Sequence, residues 1–138
     1  MKYMLMFKST ALSEAGMLED QDFKDRRAAF VRSLAHVGIL LADETLLPSS
    51  SGMRITFPRD GGGASVAAEP FAAESGLMER FLILDAGSME EAAEWAMKLP
   101  VPQGRGEFAI ELRQLADPAE MRRDPAVMAL ETNLREHI

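Results

Sequence analysis

Glu44 and His36 are the residues whose types and settings most readily suit proton transfer. Glu44 lies among apolar neighbours on an extended stretch, where partial burial would suit a carboxylate to act as a general base. His36 is of the one residue type that ordinarily titrates near neutrality, and it comes at the end of a helical pattern. Each has a plainer structural alternative. Glu44 can be an edge-strand charge or a salt-bridge partner. A histidine in the last turn of a helix is favoured by the helix dipole alone. Glu107, Glu111 and Arg113 form a second group. They share one parity on an extended segment, opposite Phe108, Ile110 and Leu112, so the charged side looks away from the helices. Two carboxylates and a guanidinium on one face could bind a small polar ligand. The alternative is an ordinary solvated or dimer-bridging face.

Other chemistries are excluded by what the chain lacks. There is no cysteine, hence no thiolate ligand, disulfide or cysteine nucleophile. The only histidines, His36 and His137, are far apart in sequence, and scattered carboxylates define no metal site, so neither a metal nor a cofactor is expected. Gly61, Gly62 and Gly63 precede neither a Lys-Ser/Thr pair nor a helix, which rules out a phosphate loop. A net charge of −7 disfavours nucleic acid and anionic membrane as partners. No apolar run reaches the length of a membrane span, and the apolar start is too short for a signal peptide, so the expected compartment is the cytoplasm.

These groups must be held by regular elements. Residues 2–8 are apolar between lysines and suit a buried strand. Asp20 is the expected N-cap of a helix that carries Phe23, Phe30, Val31, Leu34 and Val37 on one face and stops at Gly38. Residues 39–42 lead into a second strand, read at residues 43–48. Residues 53–57 alternate with period two, and residues 64–67 return as a weak strand after the glycine loop. Residues 79–85 carry the strongest strand signal. Ser88 and Glu91 form a capping box before a helix with Met89, Ala92, Ala93, Ala96 and Leu99 as its stripe, ended by Pro100. The last strand spans 107–115. Core filling is the expected role of Met4, Met6, Met78, Met89 and Met97.

The order is strand, helix, strands, strand, helix, strand, which implies an α+β, ferredoxin-like domain over residues 1–116. Residues 117–138 read as a helical tail: Asp117-Pro118 and Asp124-Pro125 are helix starts, followed by Val127, Leu130, Leu134 and Ile138. Two helices on one side of a sheet leave its other face bare. A second copy of the sheet is the economical cover, so a homodimer is expected.

The opening Met1-Lys2-Tyr3-Met4-Leu5, the run from Gly38 through Leu41 to Glu44 and Leu46, Pro70-Phe71-Ala72, the strand at 81–84, then Glu91, Ala92 and Trp95, and the last strand occur together in order. In this the chain resembles the YCII-related proteins, in particular the subgroup named for an Asp-Gly-Pro-Phe motif. Ala68 and Glu69 stand where that motif has Asp and Gly. The resemblance implies a dimeric α+β barrel enclosing a pocket, with Phe71 as a pocket wall or a core plug and Glu69 as a carboxylate one position away from the motif's own. It gives Glu44 a match at an acidic position typical of the subgroup. It also implies a possible link to extracytoplasmic-function sigma factors. In the wider group a His–Asp pair has been proposed as catalytic, with its histidine on the first helix; here the corresponding stretch holds Arg26, Arg27 and Phe30. Two functional classes follow: a small-molecule pocket protein, with or without enzymatic activity, and a non-catalytic regulatory module tied to sigma-factor signalling.

Overall fold

Along the first strand Tyr3, Leu5 and Phe7 are buried, whereas Met4, Met6 and Lys8 are half-buried and Lys2 is exposed. That period of two recurs on the two strands paired with it and gives the main sheet two distinct faces. The computed structural model describes residues 1–10, 13, 15, 19–67, 77–102, 108–118 and 133. Its strands are β1 (Lys2–Lys8), β2 (Leu40–Thr45), β3 (Arg54–Thr56), β4 (Ser65–Ala67), β5 (Met78–Asp85) and β6 (Ile110–Gln114); its helices are α1 (Gln21–His36) and α2 (Met89–Ala96). A single 3-10 turn spans Ser49–Ser51. The main sheet has the order β2-β5-β1-β6, antiparallel at every pair, while β3 and β4 make a separate two-stranded sheet. With the hairpin set aside, this is the ferredoxin-like arrangement expected from the element order.

Both helices pack on the side of Leu5, Phe7, Leu82 and Leu84. Phe30 and Leu34 of α1 join Ala96 and Leu99 from and after α2 in one core, with Ile110 and Leu112 of β6 packed against it. Tyr3, Ala86 and Ala92 make a smaller cluster beside it. The expected stripe of α1 holds for Phe23, Phe30, Val31 and Leu34. Val37 is instead exposed, because it is the C-cap and has already turned away from the core. Of the α2 stripe, Ala92, Ala96 and Leu99 are buried and Met89 is exposed. The methionine expectation fails among the described residues. None of the core residues there is a methionine; Met4 and Met6 fall on the opposite parity from Leu5, and Met97 projects into solvent.

The helix ends show how local sequence fixes these elements. At the close of α1, Gly38 donates to the Ala35 carbonyl and Ile39 to the Leu34 carbonyl, both at 3.1 Å, and Ile39 packs on the core that holds Leu34. This is a Schellman ending, with Gly38 at φ +80°. A Cβ on Gly38 would touch nothing within 4 Å, so only the backbone conformation resists a side chain. Gly38→Ala is therefore expected to lower the unfolding free energy by about 1 kcal/mol. It should appear in urea titration as a lower midpoint at unchanged slope.

At the start of α2, Ser88 accepts from the Glu91 backbone N–H at 3.1 Å, while the Glu91 carboxylate accepts from Gly87 N–H at 2.9 Å. The capping box thus closes one residue earlier than its usual form, on Gly87 rather than on Ser88. Asp20 is the N-cap of α1, as expected, but makes no side-chain capping bond.

Candidate functional site

The strand pairing places four residues in a row across the face that the described helices leave open. Glu44 of β2 lies opposite Phe81 of β5, Phe81 opposite Met6 of β1, and Met6 opposite Glu111 of β6. The next row runs Ala42, Ile83, Met4, Arg113. Directly paired residues project to the same side, so all eight share one face. Its centre is apolar and half-buried: Met4, Met6, Phe81 and Ile83 on the two middle strands. Its edges are charged. Glu44 stands at one edge, Glu111 and Arg113 at the other, about 15 Å away across three strand spacings.

The electrostatics of the two edges differ. Lys8 reaches Glu111 at 3.2 Å and neutralises it locally. Among the described residues, Glu44 and Arg113 have neither an ion-pair nor a hydrogen-bond partner, and both side chains are exposed. Among the described residues, the face therefore offers an unpaired anion at one end, an apolar platform in the middle and an unpaired cation at the other. Glu44 is not partly buried within the single chain, as the sequence suggested it would be; its surroundings are apolar but open.

His36 is not brought to this face. It ends α1, which packs on the opposite side of the sheet, and it is exposed there. Glu69, Phe71 and Glu107 lie outside the described residues, as does the expected tail helix beyond residue 118 apart from Asn133. Of the expected site residues, Glu44, Glu111 and Arg113 are thus assembled on one surface and His36 is separated from them. No group of three or more potential metal ligands occurs among the described residues.

Sequence reasoning missed an ion pair on the other face. Arg80 and Asp43 form a two-pronged fork, Nε to Oδ1 at 2.8 Å and Nη2 to Oδ2 at 2.6 Å, with the guanidinium carbon 5.9 Å from the Phe7 ring centre. The side chains are only 13% and 24% exposed. Parity was the available signal, since Arg80 shares the phase of buried Leu82 and Leu84, and a charge in that phase needs a partner. Arg26 and Arg27, which stand where the resemblance would place a histidine, are also engaged. Arg26 bonds Asp22 at 3.1 Å, Arg27 holds Glu19 at 2.7 Å, and both guanidinium groups lie over Phe23. No described residue gives that stretch of α1 a proton-transfer group.

Comparison with known proteins adds the family. The YCII-related domain matches residues 1–113, most of the chain, and the chain belongs to that family. No curated protein matches it. Among the described residues, no helix is long and apolar enough to cross a membrane.

Proposed function

We propose that this YCII-related domain binds a small amphiphilic molecule on the open face of its sheet, and that a second copy closes over that face as in a dimeric α+β barrel. One observation carries the reading. Glu44 and Arg113, free of partners among the described residues, flank Met4, Met6, Phe81 and Ile83 on a face that neither described helix covers. An apolar platform with a few placed charges is how small-molecule sites are generally built. The chemistry of the face matches a ligand with an apolar body, a cationic or proton-donating group near Glu44 and an anionic group near Arg113.

Closure by a second copy supplies what the single chain lacks. It would bury Phe81 and Met6 and remove Glu44 from bulk water, which is the condition under which a carboxylate becomes an effective base. Facing sheets pack about 10 Å apart, enough for a layer of interdigitated side chains and for a flat ligand where those side chains are short. If the bound molecule is transformed, Glu44 is the group placed to take its proton. The cytoplasm remains the compartment of this reading, in keeping with a chain free of cysteine.

A thermal-shift screen of small amphiphilic ions tests the proposal. A compound at a hundredfold excess over its Kd stabilises the folded state by about 2.7 kcal/mol, a rise on the order of 5–10 °C in Tm. The shift is expected to shrink in both Glu44→Gln and Arg113→Ala. Shifts that survive both substitutions would place the ligand elsewhere, and a screen with no shift at all would remove the pocket reading.

A further inference from the structure

The β3–β4 hairpin carries a second apolar surface. Ile55 pairs with Val66 across the hairpin, and Met53 and Phe57 lie two residues to either side of Ile55, in the same phase. Arg54, Thr56, Ser65 and Ala67 take the other phase. The hairpin is therefore amphipathic, yet every described residue of it is exposed, Phe57 by 77%. Leu46 and Leu47, between β2 and the hairpin in the chain, are exposed as well, Leu47 by 78%. Its tip is well formed: Gly61 donates to the Pro58 carbonyl and Gly62 to the Asp60 carboxylate at 2.9 Å. A two-stranded hairpin alone is at best marginally stable in water, so a defined arm of this kind calls for a surface to rest on.

We propose that this hairpin is an arm that reaches over the end of the open sheet face of a second copy, beside its Glu44–Phe81 row, so that Phe57 and its neighbours form the end wall of the partner's binding site. The inference rests on the dimeric reading above and adds which segment the partner contributes. Two observations favour a second copy as the occupant, the exposed apolar area and the place where the hairpin is rooted. Leu46, Leu47, Met53, Ile55, Phe57 and Val66 are 46–78% exposed, and together with the open face they offer an apolar area on the order of the 800 Å² that each partner gives to a stable interface. Charge does not oppose the contact: residues 46–67 carry Arg54 and Arg59 against Asp60, a net +1, and on the open face Glu44 and Glu111 are balanced by Lys8 and Arg113. The hairpin is rooted between Thr45 of β2 and Met78 of β5, at the end of the face marked by Glu44 and Phe81. A two-fold contact lets each copy give one arm and receive one, covering both apolar surfaces at once.

The absence of cysteine makes the test clean. Phe57→Cys carries the only thiol and is labelled with benzophenone-maleimide, which keeps an aromatic group at that position. Unlabelled-isotope and nitrogen-15 chains are mixed and irradiated. The expected product joins residue 57 of one isotope to tryptic peptide 3–8 or 81–98 of the other. In parallel, Phe57→Ser is expected to raise the dimer Kd at least tenfold while leaving the far-UV circular dichroism unchanged. Cross-links confined to one chain, or an unaltered Kd, in a protein that is dimeric would overturn the arm and leave the dimer standing. A wild-type chain that is monomeric would overturn both. Binding of the wild type but not of Phe57→Ser to phosphatidylcholine vesicles would assign the arm to a membrane instead and overturn the proposal.

Discussion

Leu82→Ala is expected to lower the unfolding free energy by about 3–4 kcal/mol. Leu82 has no exposed surface and sits on a middle strand, between Leu5 of β1 and Asp43 of β2, in the core with Phe30 and Leu34 of α1 and Leu99 after α2. Truncation there removes transfer free energy and leaves a cavity. Strands bonded on both sides cannot shift inward to fill it, which places the cost in the upper half of the usual range. Domains of this size have total stabilities of about 5–15 kcal/mol, so the loss is a large fraction and should be plain in urea titration. Its neighbour gives the instructive comparison. Phe81 points to the open face and is half-buried in the single chain. If a second copy covers it, the cost of Phe81→Ala grows with protein concentration, whereas that of Leu82→Ala shows far less dependence.

Asp43→Ala is expected to cost about 2–3 kcal/mol, although Asp43 is not in the apolar core. The substitution strips the carboxylate from Arg80, whose side chain is 13% exposed and lies over Phe7. A guanidinium that is mostly removed from water keeps its desolvation cost after losing its partner. The two-pronged geometry and low exposure set this pair apart from the surface pair Arg26–Asp22, whose loss should be close to neutral. Replacing both members, Asp43→Leu with Arg80→Met, is expected to recover most of the loss, since no charge is then left buried. Urea titrations of Asp43→Leu, Arg80→Met and their double variant form the cycle that measures the coupling.

The fold was largely legible because its pattern is local. Period-two alternation in β1 and β5, the stripe of Phe23, Phe30 and Leu34, and the glycine stop at Gly38 each state their element without reference to the rest of the chain. The shared side of Glu111 and Arg113 was legible for the same reason. What could not be read was pairing. Nothing in the sequence says that Glu44 and Glu111 end the same row, because that depends on β5 and β1 lying between them in one register. The Arg80–Asp43 fork joins residues 37 positions apart and was invisible for that reason. The methionines were misread because composition favours burial while parity decides it. Met4 and Met6 follow the pleat onto the open face whatever their hydrophobicity. Glu44 looked partly buried because its sequence neighbours are apolar, but on a strand those neighbours point the other way or lie at the exposed edge.

The claim that the open sheet face is closed by a second copy is tested most directly by the mass in solution. Light scattering on the wild type at tens of micromolar is expected to give twice the 15.2 kDa chain mass, 30.4 kDa. Phe81→Glu, which places a carboxylate at the centre of that face without touching the core behind it, is expected to give 15.2 kDa with unchanged far-UV circular dichroism. A wild type that runs at 15.2 kDa, or a Phe81→Glu variant that stays at 30.4 kDa, would contradict the account.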